Sequence, residues 1–165
     1  MFLYISLVNT KLMKFVLSIL ITLATGAVAA FATVHSIDTW YASLTKPFFN
    51  PPNWLFGPVW GLLYILMGMA LYLIWKLPAS KNRNSSLIFF FVQLLFNFLW
   101  SFIFFYFHAI AFALFDIIIL WVMILLTIIL FSRLNKKASW LLVPYISWVS
   151  FATILNIYIF NLNAR

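Results

Sequence analysis

Five times in 165 residues the chain runs for about twenty residues with almost no charge, the length a helix needs to cross the hydrocarbon of a bilayer. The runs lie near 15–34, 55–77, 86–107, 110–131 and 140–160. Lipid offers no water to an unpaired backbone N–H or C=O, so each run has to satisfy its own backbone as a helix. With 67% of its residues hydrophobic, a soluble domain of this length could not bury them. The expectation is an all-α membrane protein, a single domain over 1–165 built as a five-transmembrane-helix bundle. Internal repeats, a soluble domain and low-complexity linkers are not visible. The basic start, apolar Phe15 to Thr25 and the small-x-small Ala27-Val28-Ala29 also fit a cleaved secretory signal, but apolar character persists to Val34, which favours a retained span.

The few charges then fix the topology. Ten basic residues face two acidic ones, and they are scattered in short groups between apolar runs instead of forming one soluble basic face, so nucleic acid is not expected as a partner. Lys11, Lys14, Lys76, Lys81, Arg83, Arg133, Lys136 and Lys137 fall on one side of the five spans, and Lys46 and Arg165 on the other. Short loops obey the positive-inside rule, so the N-terminus is expected to be cytoplasmic and the first loop, His108 and the C-terminus to lie on the opposite side. This describes an integral, multi-pass protein, with a bacterial inner membrane as the expected location. The absence of cysteine excludes disulfides, thiolate catalysis and cysteine-bound metals.

The first loop, 35–54, is too long for a mere connector. Pro47, Pro51 and Pro52 remove backbone donors and push their predecessors toward extended conformations, so 45–53 cannot be ordinary helix. Pro58 sits where the first turn of a helix tolerates proline, with Asn53 as the expected N-cap and the helix starting near Trp54. Gly57 and Gly61 form a G-x-x-x-G with Gly68 seven residues on, a spacing that serves a dimer seam or packing within one bundle.

Polar side chains inside spans need a partner or a cavity. Gln93, Asn97 and Trp100 recur at helical spacing with Phe104 on the same stripe and Ser101 beside it; Trp148, Ala152, Leu155 and Asn156 share a face of the fifth span, and Trp60 and Tyr64 a face of the second. At about 1.5 Å per residue these faces meet in the half nearest the first loop. Any one of them could simply bond helix to helix; as a set at one depth they point to an aromatic pocket roofed by the loop. Gly26, Ala27, Ala29 and Ala30 of the first span are expected in ordinary helix packing, the alternative being that they admit a flat ligand to the backbone. Asp116 is the one acidic residue inside a span and is expected to make an inward hydrogen bond, with proton transfer the sharper alternative. A metal site from His35, Asp38 and His108 is the weaker reading of those residues, and no metal is expected. No nucleophile–base constellation or phosphate-binding glycine loop is present.

Three ordered motifs carry a family resemblance. These are Trp40-Tyr41-x-x-Leu44-x-Lys46-Pro47 with Pro51-Pro52-x-Trp54-x-Phe56-x-Pro58-Val59-Trp60-x-x-Leu63-Tyr64, then Gln93-Leu94-x-x-Asn97-x-x-Trp100-Ser101, and Pro144-Tyr145-x-x-Trp148-x-x-x-Ala152-x-x-Leu155-Asn156. Over nearly its whole length the chain resembles the tryptophan-rich sensory protein and translocator protein (TspO) family. The resemblance implies a five-helix bundle, commonly a homodimer, whose cavity near the first loop takes porphyrins and other hydrophobic small molecules, with no cofactor required. By matching positions it implies a site of Tyr41, Pro51, Trp60, Asn97, Trp100, Trp148, Ala152 and Leu155, joined by Tyr64 and Gln93. It further implies light- and oxygen-dependent porphyrin breakdown in some members, for which Trp60 and Trp148 would be the catalytic pair, and transport of tetrapyrroles as an alternative role. The sterol-associated pattern of animal members is broken, because Asn161 follows Leu155 and Tyr158 where a basic residue is required and Arg165 lies too far on, so sterol is not an expected partner.

Overall fold

The computed structural model describes residues 2–163, with side chains from residue 10 onward; Arg165, counted above for topology, lies outside the described residues. Five helical spans are long and apolar enough to cross a membrane, at Thr10–Ile37, Asn53–Trp75, Lys81–Tyr106, Ile110–Leu134 and Lys136–Asn163. In chain order the elements are α1 (Phe2–Ile37), a one-turn α2 (Trp40–Ser43), α3 (Asn53–Trp75), α4 (Lys81–Ser101) continuing as a π-helical segment Phe102–Tyr106, α5 (Ile110–Leu134), α6 (Lys136–Leu141) and α7 (Val143–Asn163).

The boundaries follow local chemistry, and several correct the sequence expectation. α1 runs past Val34 to Ile37, so the first loop is shorter than 35–54 and carries its own helical turn. Asn53 is not the cap of α3. Pro52 occupies that place with no side-chain capping bond, and Asn53 is the first helical residue, its Nδ2 donating to Asp38 Oδ1 at 3.2 Å. α4 begins earlier than expected because Ser80 caps it, accepting from Arg83 N. Asn135 likewise caps α6 by accepting from Ala138 N. The fifth span is broken at Leu142, since Pro144 lacks the N–H that a continuous helix needs and is tolerated only in the first turn of α7. The π-helical segment inserts where α4 nears the first-loop face, closing with a Phe107 N to Phe102 O bond of 2.9 Å.

α1 packs against α3 and α4, α5 lies between α4 and α7, and α6 closes the ring back onto α3. Outward apolar residues such as Leu20, Leu62, Phe91 and Phe115 are exposed and meet acyl chains in a bilayer. The interior is uneven. In the half nearer the basic loops Met67, Leu71, Ile74, Phe90, Ile124 and Phe131 are wholly buried and fill the space between α3, α4 and α5. Gly68 lets α1 come close there, since a Cβ at that position would stand 2.8 Å from Ile19 Cα. Thr22 adds a bond across the same seam, donating to Tyr64 O at 2.8 Å. The half nearer the first loop has a smaller buried cluster, around Tyr41, Phe104, Phe105 and Ile159, and beside it a cavity.

Candidate ligand cavity and its roof

The roof is the first loop, held by its own polar groups. Tyr41, 2% exposed, donates its hydroxyl to Asn50 Oδ1, and Asn50 Nδ2 donates to Pro51 O. Burial pushes the Tyr41 phenol up to about 12, with the Asn50 bond pulling the other way. Lys46 folds back over the Tyr41 ring at 4.8 Å and caps the α2 turn, donating to Tyr41 O at 2.6 Å and Ala42 O at 3.1 Å. Asn163 at the end of α7 grips the loop backbone twice, accepting from Thr45 N at 3.0 Å and donating to Thr45 O at 2.9 Å. Trp40 stacks on His108 at 4.2 Å, tying the loop to the α4–α5 turn, where His108 takes the left-handed conformation at φ 55°.

Beneath this roof lies a cavity of about 540 Å³. Of the ten residues singled out in the sequence, seven line it: Tyr41, Trp60, Tyr64, Trp100, Trp148, Ala152 and Leu155. Four elements supply them, and Phe104 and Asn156 from the same helical stripes, with Ser101 beside Trp100, join the wall. Trp100 and Phe104 stack at 5.2 Å and Trp60 on Tyr64 at 5.7 Å, so the walls present flat ring faces. The lining is mostly apolar, as small-molecule sites are. Two of its members carry buried polar atoms without a hydrogen-bond partner, Trp100 Nε1 and both side-chain atoms of Asn156.

Three of the ten do not line it. Pro51 is buried within the roof, where its carbonyl serves Asn50. Asn97 stands behind Tyr64 and accepts its hydroxyl at 2.6 Å, so it orients a wall residue. Gln93 lies one turn deeper and accepts from Tyr145 OH at 2.9 Å in the solid half of the bundle. Helical spacing put these amides on the right face, but two tyrosine hydroxyls reach them first. Asp116 is buried with Oδ2 unpartnered, so the inward hydrogen bond expected of it is not made through that oxygen. His35 Nδ1 lies 2.8 Å from Phe31 O, Asp38 receives Asn53 and His108 stacks on Trp40; among the described residues no group of three His, Cys, Asp or Glu is placed to hold a metal ion.

The small-residue face of α1 does more than pack against a neighbouring helix: Gly26, Ala27, Ala29 and Ala30, spaced as small residues along one stretch of the span, all line the cavity. Gly57 and Gly61 line it too, and a Cβ at either would meet nothing within 4 Å. Gly68 alone of that trio packs helix to helix within the bundle.

Comparison with known proteins accords with this arrangement. Residues 18–162 match the model of the TspO/MBR family. The chain is 47% identical over 154 residues to the tryptophan-rich protein TspO of Archaeoglobus fulgidus, covering 93% of this chain and 99% of that one. It is 42% identical over 156 residues to the protein of the same name from Chlorobaculum tepidum, covering 94% and 99%. Against the human translocator protein it is 37% identical over 119 residues, 71% of this chain and 70% of that one. With five spans in place and the aromatic motifs of three helices gathered around one cavity, the chain belongs to the TspO/MBR family of integral membrane proteins.

Proposed function

We propose that this protein binds porphyrin-type tetrapyrroles and other flat hydrophobic molecules in the cavity under the first loop, and handles or senses them in a bacterial inner membrane. The observation that carries this reading is the convergence of Trp60, Trp100 and Trp148, from three helices, on one cavity whose wall also holds the unpaired amide of Asn156. Ring faces suit a planar conjugated ligand, while stray polar atoms in an apolar wall suit the few hydrogen-bonding groups such a ligand carries. The basic loops on one face support an orientation with the roof away from the cytoplasm.

Titration with protoporphyrin IX tests it through tryptophan fluorescence. The expected result is a saturable quench whose affinity drops about tenfold or more in Trp148→Leu, as truncating a central aromatic contact does. A quench that rises without saturation, or that Trp148→Leu leaves unchanged, overturns the reading.

The placement of Trp60 and Trp148 on the same cavity favours a second activity, oxidation of the bound ring by dioxygen under light with the two indoles as electron-rich neighbours. A Trp60→Phe, Trp148→Phe double variant is then expected to slow bleaching of bound protoporphyrin, compared at equal occupancy with the parent; equal bleaching removes this activity.

A further inference from the structure

We infer that the cavity is entered sideways from the bilayer, through a window between α1 and α3, by planar ligands already dissolved in the membrane. This deepens the proposed binding function and rests on it for the identity of what passes through.

The two helices run antiparallel and are joined at two levels. Toward the basic face Gly26 lies against Tyr64, a Cβ there standing 2.3 Å from Tyr64 Cε2, and below it Gly68 abuts Ile19. At the roof Asn53 Nδ2 donates to Asp38 Oδ1. Between Asn53 and Tyr64 α3 rises about 16 Å at its standard pitch. Over that stretch it offers the cavity Gly57 and Gly61, each with open space where a side chain would start. The facing stretch of α1 offers Ala27, Ala30 and Val34, which line the cavity and are also exposed. Neighbouring helices with small facing residues ordinarily close until their backbones touch. Here the space in front of Gly57 and Gly61 stays open although α1 and α3 pack closely elsewhere along their length.

The other seams of the same cavity are crossed by large side chains. Phe56 meets Trp148 edge-on at 6.3 Å between α3 and α7. Ala32, 2% exposed, packs with Phe104 and Phe105 where α1 meets the π-helical segment. Overhead, Tyr41 is buried and Phe49 stands edge-on to Tyr158 at 5.2 Å, with Asn163 holding the loop backbone. A ligand coming from water would have to lift this roof against several hydrogen bonds. One dissolved among acyl chains meets a gap edged by glycine and alanine, and beyond it Asn156, which is 2% exposed with neither amide atom paired.

The test uses the full-length protein in phosphatidylcholine vesicles. Protoporphyrin IX association, followed by stopped-flow tryptophan quenching, is expected to slow about tenfold or more in Gly61→Leu and Gly57→Leu, whose side chains enter open space. Association is expected to stay within twofold of the parent in Asn163→Ala, which loosens the roof. Unchanged association in both leucine variants, or faster association in Asn163→Ala, overturns lateral entry. Independently of any porphyrin, a phosphatidylcholine with a diazirine in its acyl chain is expected to photolabel Gly57, Gly61 and Trp60 inside the cavity and to leave buried Met67 unlabelled. Label confined to outward residues such as Leu62 shows the window closed to lipid and overturns the inference. Failure of protoporphyrin to bind, with Trp60 labelled, removes the tetrapyrrole reading and leaves the window standing.

Discussion

Individual side chains in this bundle differ sharply in how much change their surroundings accept. Gly26 and Gly57 both line the cavity, yet a methyl on Gly26 collides with the Tyr64 ring while one on Gly57 meets nothing. Gly26→Ala is therefore expected to push Tyr64 off Asn97 and lower stability by about 1–3 kcal/mol, as overpacking does. Gly57→Ala is expected to be neutral or stabilising by up to about 1 kcal/mol, because alanine is the better helix former. Thermal unfolding of the two variants in one detergent checks the contrast. Tyr41 carries a different prediction. Its phenol titrates near 12 in the folded protein against an ordinary value of about 10, so the neutral form is the one the roof holds. The stability it contributes is fully present below pH 10 and is lost as pH rises through about 12. Proteolytic nicking of residues 44–50 is expected to increase across that window in the parent, and Tyr41→Phe is expected to lack the step.

At the level of elements, the first loop behaves as a small structural unit, stitched to α3, α7 and the α4–α5 turn by separate contacts. The α7 attachment is the most concentrated, one side chain making both bonds to Thr45. Removing it in Asn163→Ala deletes two hydrogen bonds, each worth about 0.5–1.5 kcal/mol net. Hydrogen exchange at residues 44–50 is expected to accelerate by about tenfold or more, while the amides of α3 and α5 keep their protection. Equal acceleration throughout would mean that the loop does not open separately from the bundle. The π-helical segment matters at the same scale. It resets the register after α4, and Phe104 within it lies ring on ring with Trp100 from the last turn of α4.

Across the whole molecule, one half is solid and the other hollow, and charge sorts the same way. The up-and-down order of spans brings Lys14, Lys76, Arg83 and Lys137 to the solid end, and the roof with Lys46 to the other. Cysteine is absent, so single-site labelling can check the orientation directly. A membrane-impermeant maleimide added to intact cells is expected to label Phe48→Cys, at the fully exposed tip of the loop, and to spare Lys137→Cys until the membrane is opened. The reverse pattern would invert the topology.

The chain's own order of residues determined the spans, their number and their alternation, because in lipid a backbone can satisfy itself only as helix, and run length and charge decide where each helix lies. It also marked the rings of Trp60, Trp100 and Trp148 as inward, since helical spacing fixes a face. Tertiary structure decided what those faces meet. Gln93 and Asn97 read as ligand contacts until Tyr145 and Tyr64, distant in sequence, are seen to take their oxygens, and Gly57 and Gly26 read alike until one faces open space and the other a ring. Periodicity reports direction from a single helix axis. Whether a neighbour, a hollow or lipid lies in that direction depends on how the other helices are placed.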